Sequence, residues 1–391
     1  MAGNVIRQRN AIVAIKGETT PGVDAWGGIG VAANLATDFL RADIAITLNQ
    51  TQVANTEVTG TPDQAAPIPG GVQAQVILTC PLRGSGTPGT PPGWGKAAKA
   101  CGLAETITAA AIPATTVTAA TANTLTLPAP FVQTAEAYRG MPLLLSVNPA
   151  LATDVLVTDY AGGVATLGSS FAPTLDITTK AGLLANVLYS PILDLSTAAT
   201  ATIRIYMDGL LWDFVGAIGN PTLSFAVGGL CTIKFDFKCL YQPPTPAPVP
   251  VGFTVDQPTP VVFRNGISRL GGQLARVSTA SIDLGNITTF PDDPENSEGF
   301  DAALITSRKA VGTLDPLQSV ASTIARVLTW KAGGLQSLVL GAGTTAGNMF
   351  AMVAPAVQYT TLAVQARNEL MSENLGFSAP TPGAPFSLCA Y

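Results

Sequence analysis

The chain has 391 residues, no histidine, and only 12% charged residues, about half the share of an ordinary soluble domain. Without His there is no Ser-His-Asp or Cys-His pair, no HExxH zinc site and no imidazole pH switch. A net charge of −5 and a pI near 4.8 leave no concentrated basic face of the kind a dedicated nucleic-acid binder carries.

The length predicts two or three domains with ample core. So few charges, with a mean hydropathy of +0.36, imply that much of the surface is covered by other protein. Cys80, Cys101, Cys231, Cys239 and Cys389 are odd in number and form no CxxC pair, so they read as buried, reduced thiols. Arg7 and Arg9 are not followed by an apolar core with a small-residue cleavage site, so no signal peptide is expected. No run of 18 apolar residues occurs, so no membrane anchor is expected either.

Strand signals come first in chain order. Residues 42–48 alternate, with Ile44, Ile46 and Leu48 on one face. A polar loop (54–71) leads to a second strand at 72–80. Pro91-Pro92 then introduces a short helix at 93–102, stopped at Gly102. Residues 104–200 are nearly uncharged and Ala/Thr-rich. They read as short strands (among them 141–148) of a small inserted all-β module. Insertions enter at solvent-facing loop tips, so the module should project from an assembly. Strands follow at 202–215 and 223–241. In the latter, Ile233, Phe235 and Phe237 point one way and Lys234, Asp236 and Lys238 the other. The charged set is a solvated face, or one turned to a partner or a lumen. Five prolines, Pro243, Pro244, Pro246, Pro248 and Pro250, make 242–252 a stiff linker.

The C-terminal part runs strand 277–285, polar loop 286–299, strand 301–312, helix 316–331, strand 335–343 and a last strand pair at 349–370. For the helix, Asp315 is the expected N-cap and Pro316 the first helical residue. Leu317, Val320, Ile324, Val327 and Leu328 keep helical spacing, and Gly333-Gly334 ends the run. Both parts share one order of elements, as diverged copies of one plan. The predicted organisation is a discontinuous first domain (1–103 plus 201–241), the insert (104–200), the linker (242–252) and a second domain (253–391). Asp208-Gly209 reads as a hairpin turn. Gly219-Asn220 answers Gly347-Asn348, each expected to supply left-handed turn residues before a long strand.

Little chemistry emerges. The stretch 341–347 has the spacing GxGxxxG, but a strand follows where a phosphate site needs a helix N-terminus, so it is a turn. Asn49 and Asn286 fit the glycosylation pattern, without meaning unless the chain is secreted. The one acidic cluster is Asp292, Asp293, Glu295, Glu298 and Asp301, which lacks the alternation of a Ca²⁺ loop. It reads as a solvated loop, a loop docked on a neighbouring subunit, or a metal site. No cofactor or enzymatic activity is expected.

The segment 203–244, with its Met207-Asp208-Gly209 turn, the Gly216–Asn220 corner, the Gly228-Gly229 pair and a closing aromatic strand running into proline, resembles the major tail tube proteins of long-tailed (siphovirus-like) bacteriophages. Residues 284–293, 303–316 and 343–359 read like a second such domain. The resemblance covers about 1–103 and 201–391, and leaves 104–200 as a decorating β module. It implies a mainly β fold: two tandem β-sandwich or barrel domains, each with a flanking helix, plus the insertion. It also implies homotrimeric, pseudo-hexameric rings that stack into a tube. The tape measure protein would first occupy the lumen, and tail terminator and distal tail or baseplate proteins would cap the ends. Genomic DNA would pass through without specific binding, in a virion assembled in the host cytoplasm. The polar loops and chain termini are expected to carry ring-to-ring contacts, through Thr56, Glu57, Asp63, Asp292, Asp293, Glu295 and Glu298. Competing readings are another virion component, such as a decoration or minor tail protein, and a β-rich carbohydrate-binding or carbohydrate-active module using the 292–301 carboxylates. Aromatics at 6% argue against the last.

Overall fold

A computed structural model describes residues 6–28, 31–58, 60–146, 152–172 and 174–391. The protein is mainly β, with two α-helices, α1 (Gly95–Lys99) and α2 (Val320–Ala332), among the described residues. Residues 147–148 of the strand expected at 141–148, and the N-terminal residues 1–5, lie outside them.

Two stretches of the chain pair their strands in one order. In the N-terminal half, Ala11–Gly17 pairs with Ala201–Met207, then Leu210–Ala226, Thr232–Tyr241, Ile68–Pro81 and Asp43–Val53. In the C-terminal half, Ile267–Leu270 pairs with Leu335–Ala342, then Phe350–Arg367, Leu370–Ser378, Val311–Pro316 and Val277–Asp283. Every pairing is antiparallel. In sequence order, α1 sits between Ile68–Pro81 and Ala201–Met207, and α2 between Val311–Pro316 and Leu335–Ala342. The halves are therefore topologically equivalent, element for element. Alternation sets the faces: Ile233, Phe235 and Phe237 are buried beside Val76 and Leu78, whereas Lys234 is exposed. One continuous core runs through both halves, from Val13 and Phe235 to Leu314 and Phe377.

Helix α2 starts later than the sequence signals suggest. Pro316 ends a strand, and the N-cap is Ser319, whose hydroxyl accepts from Ser322 N. Asp315 is occupied elsewhere. Its Oδ1 accepts from Ser278 N and Thr279 N at 2.7 Å each, and its Oδ2 pairs with Arg367 at 2.7 Å. A carboxylate shared between strands has no freedom to cap a helix. Gly333, at φ +64°, closes the helix as expected.

Residues 104–200 divide into two structures. Ile112–Thr116, Ala119–Ala120, Thr124–Thr126, Pro142–Ser146, Ala152–Ala161, Val164–Leu167 and Lys180–Leu183 form a separate seven-stranded sheet. Leu103–Thr108 and Asn186–Pro191 instead pair with each other, and the latter pairs with Ser387–Ala390 of the large sheet. The small sheet has its own core, around Leu125, Leu143, Leu145, Val157 and Tyr160. It packs on Val339, Ala351, Val353, Cys389 and Tyr391 of the C-terminal half.

The Pro-rich linker hugs the N-terminal half at its edge: Thr245–Pro246 pairs with Leu210 and Leu211. Beneath residues 18–40 lies a buried ionic cluster. Arg204, fully buried, donates to Asp213 (3.0 Å), Asp24 (2.7 Å) and the Gly28 and Val31 carbonyls, and stacks on Trp26. Such a cation survives burial because its donors are met. Burial pushes the Asp213 carboxyl up to about 6 against the pull of Arg204. Asp38 behaves oppositely. Burial raises its pKa, but hydrogen bonds from Lys96, Trp26 and Asn34 hold it below the usual carboxylate value.

Candidate assembly surfaces

The two halves meet along a seam built from four contacts. The first is strand pairing: Thr222–Ala226 lies antiparallel to Thr279–Asp283, so the two sheets continue into one another. Side chains reinforce it. Asn220 Nδ2 donates to Asp283 Oδ1 at 2.6 Å, and Thr222 Oγ1 to Asp283 Oδ2 at 3.1 Å.

The second contact is an arm, residues 284–310, which leaves the sheet between Val277–Asp283 and Val311–Pro316 and lies across the N-terminal half. Asn286 roots it: its backbone N donates to Asn220 Oδ1, and its Nδ2 to the Gly219 and Cys101 carbonyls, all within 2.9 Å. Lys238 Nζ donates to Thr288 O at 2.6 Å and lies over Phe290. Ala303 and Ile305 bury against Ile218. At the tip, Val72 N donates to Glu298 Oε2 at 2.6 Å.

The third contact is the 343–348 turn, which docks beside α1: Gly84 N donates to Asn348 Oδ1 at 2.7 Å, Gly86 N to Gly347 O at 3.1 Å, and Phe350 meets Trp94. The fourth is the incoming chain, where Gly93 N donates to Asp256 Oδ2 at 2.7 Å and Val261 N to Leu82 O at 2.9 Å.

The turn residues separate on inspection. Asp208 (φ +45°) and Gly209 (φ +102°) link Ala201–Met207 to Leu210–Ala226 in the left-handed conformation. Gly347 is left-handed too, at φ +79°. Gly219 and Asn220 are not a turn. They lie within a strand, opposite Phe237 and Asp236, and the left-handed residue is Gly216 (φ +64°) at a bulge. Gly219 is needed for closeness: a Cβ there would stand 2.4 Å from Asp236 O. The strand continues because Asn220's side chain is held by the seam rather than by its own backbone.

The carboxylate loop is part of the arm. Asp293 accepts from Glu295 N at 2.9 Å, and an isolated bridge joins Asp292 to Phe300. Glu298 is engaged by Val72, while Asp292 and Glu295 are exposed and Asp293 is half-buried. Thr56, Glu57 and Asp63 are exposed in the 54–71 loop. No group of three potential metal ligands occurs among the described residues. Asn286, Lys238 and Gly219 form the seam that sequence reasoning missed. The usable signal was a Gly-Asn pair in the middle of an alternating strand, where a turn breaks the alternation.

Two of the open strand edges lie at equivalent places in the two halves. Among the described residues, Asp43–Val53 pairs on one side only, with Ile68–Pro81. The C-terminal stretch 361–367 of Phe350–Arg367 likewise pairs only with Leu370–Ser378. These are the topological counterparts of the two strands joined at the seam. Val364 is 55% exposed on its edge, whereas Leu223, on the equivalent strand inside the seam, is fully buried. Long unpaired edges are what a self-assembling sheet protein presents.

A β protein with a built-in edge-to-edge seam and matching open edges has the surfaces that an assembly of joined sheets would use. The chain belongs to the phage tail tube protein family, whose model matches residues 8–379. It is thereby a structural component of the virion tail, of a family that associates with itself into a tube rather than one of enzymes. No curated protein matches the sequence. No described helix is long and apolar enough to cross a membrane.

Proposed function

We propose that three chains close into a pseudo-hexameric ring and that the rings stack into the tail tube of a siphovirus-like phage, the conduit for DNA delivery. One observation carries this reading: the seam between Thr222–Ala226 and Thr279–Asp283 joins two equivalent halves and leaves the same two edges open at the ends. Repeating the seam between chains pairs 363–367 of one copy with 43–47 of the next. A sheet closed this way has no edge left to aggregate.

In this reading the domains follow the sequence division, 1–103 with 201–241, the 104–200 insert, the 242–252 linker and 253–391, with the seven-stranded sheet within 112–183 as the part of the insert on the outer surface and Leu103–Thr108 and Asn186–Pro191 kept in the large sheet. Thr56, Glu57, Asp63, Asp292, Asp293 and Glu295 contact the neighbouring ring. Glu298 holds the arm against its own chain. The tape measure protein occupies the lumen during assembly in the host cytoplasm, and terminator and distal tail or baseplate proteins bind the ends. DNA passes without specific binding, which suits a chain with 25 acidic and 20 basic residues.

Mass photometry and negative-stain microscopy of the purified protein test this. The expected species is three times 39.9 kDa, with rings or tubes of uniform bore. A strict monomer at high concentration, or a ring of six chains, would overturn the trimeric closure.

A further inference from the structure

Helix α2 faces the wrong way for a helix of an isolated subunit. Its inward side is polar: Arg326 is buried and donates to Glu373, itself fully buried, and Thr323 and Ser322 lie beside it half-buried. Its outward side is apolar: Val320 is 83% exposed, Ile324 57%, Leu328 60% and Trp330 42%, with Val327 among them. An amphipathic helix of a soluble domain turns its apolar stripe inward. Here the stripe is presented.

Its counterpart shows what flanks such a helix. In α1, Ala97 and Ala98 are fully buried. The C-terminal half reaches the residues on either side of α1 through two of the seam contacts: the 343–348 turn at Gly84 and Gly86 with Phe350 against Trp94 before the helix, and Asn286 of the arm on the Cys101 carbonyl after it. Each flanking element has an N-terminal equivalent. The Asp208–Gly209 turn matches the 343–348 turn, Leu210 begins the strand that Phe350 begins, and residues 49–71 form the excursion that matches the 284–310 arm. That excursion carries exposed Val53, Val58 and Ile68, with no described apolar partner surface within the chain.

We propose that the apolar outer face of α2 is a lateral subunit interface, covered by the N-terminal half of a second copy through its Asp208–Gly209 turn, the start of Leu210–Ala226 and its 49–71 arm. The inference rests on the ring reading and deepens it. It assigns α2 to contacts within a ring rather than to the tube's exterior or to ring stacking.

A Leu328→Cys variant tests it, because the five native thiols are all buried. Maleimide labelling is followed in monomers, in isolated rings and in stacked tubes. The expected result is labelling at least tenfold slower in rings than in monomers, with no further change on stacking. If the substitution itself blocks assembly, Ala325→Cys, also exposed on the helix, is used. In parallel, Ile324→Glu with Leu328→Glu should leave the monomer's circular dichroism and melting temperature unchanged and cut ring yield at least tenfold. Rings that label at the monomer rate would overturn the α2 interface and leave the ring standing. Protection that appears only in tubes would move α2 to the stacking contact and overturn the lateral assignment. A wild-type chain that never leaves the monomer would overturn both readings.

Discussion

Asn220 Nδ2 donates to Asp283 Oδ1 at 2.6 Å, across 63 residues of sequence, and so ties the two halves of the chain at the end of their shared strand pair. Asn220 Oδ1 accepts from Asn286 N in turn, and Asp283 Oδ1 also accepts from Gly285 N at 2.7 Å. One amide thus fixes both the seam and the root of the arm. Removing it takes one donor from a half-buried carboxylate, which keeps Gly285 N and Thr222 Oγ1, and leaves the Asn286 N–H without its acceptor.

Asn220→Ala is therefore expected to destabilise the monomer by about 2 kcal/mol, within the range for losing hydrogen bonds that leave buried partners unpaired. Gly219→Val should cost more, because its Cβ would stand 2.4 Å from Asp236 O in a strand that cannot step aside. Thermal unfolding checks both. An Asn220→Ala protein that melts with the wild type would show the seam to be held by backbone pairing alone.

The open edge gives the converse case. Val364 lies at the unpaired end of Phe350–Arg367 and is 55% exposed, so Val364→Gln, which adds no charge opposite Glu373, should leave the monomer's melting temperature within about 1 °C of the wild type. In the ring it would place a polar amide on the strand whose seam counterpart carries the fully buried Leu223. Sedimentation velocity should then find monomers at concentrations where the wild type forms rings. Rings that persist would show that this edge is not the joint.

Much of this was legible in the sequence, and the exceptions share a cause. The alternation of Ile233, Phe235 and Phe237, the Asp208-Gly209 turn and the stop at Gly333 were readable because each depends on neighbours within a few residues. The misread positions answer to distant partners. Asp315 is taken by Ser278, Thr279 and Arg367, so it cannot cap α2. Gly219 is small because Asp236 approaches it from the next strand. The helical spacing of Val320, Ile324 and Leu328 predicted the helix but carried no word on which face meets the protein, and the buried pair Arg326–Glu373 decides that. At the assembly surfaces, the exposed loop residues were legible from composition. The arm over Lys238 was not, because contacts fifty residues apart leave no periodic trace.

The ionic cluster under residues 18–40 predicts a pH dependence with a definite sign. Burial raises the Asp213 carboxyl to about 6 in the folded chain, above the ordinary value it has when unfolded, of about 4. The folded state therefore takes up a proton first as pH falls from 7, and this group favours folding increasingly down to about pH 4. Asp213→Asn cannot titrate. The melting temperature of the wild type minus that of Asp213→Asn should rise as pH falls from 7 to 5, by at least about 2 °C. A difference that is flat or falls would show that the Arg204 pair keeps Asp213 ionised throughout.

The inserted sheet is the element whose removal now has a specific consequence. Cutting at 106 and 199 would delete Asn186–Pro191, which pairs with Ser387–Ala390, and so would open the large sheet itself. Cutting at 111 and 184 spares that strand pair. Even this shorter deletion uncovers Val339, Ala351, Val353, Cys389 and Tyr391, which the small sheet buries. Uncovering several large apolar side chains costs roughly 2 kcal/mol each. The deletion joined by a short Gly-Ser linker should thus aggregate or melt well below the wild type. The same deletion with Val339→Thr and Val353→Thr should recover solubility and still form rings, since neither open edge nor α2 lies in the deleted part. Microscopy of the second variant decides the matter: a thinner tube of unchanged bore is the expected image. A soluble protein with no rings would make the inserted sheet part of the ring joint.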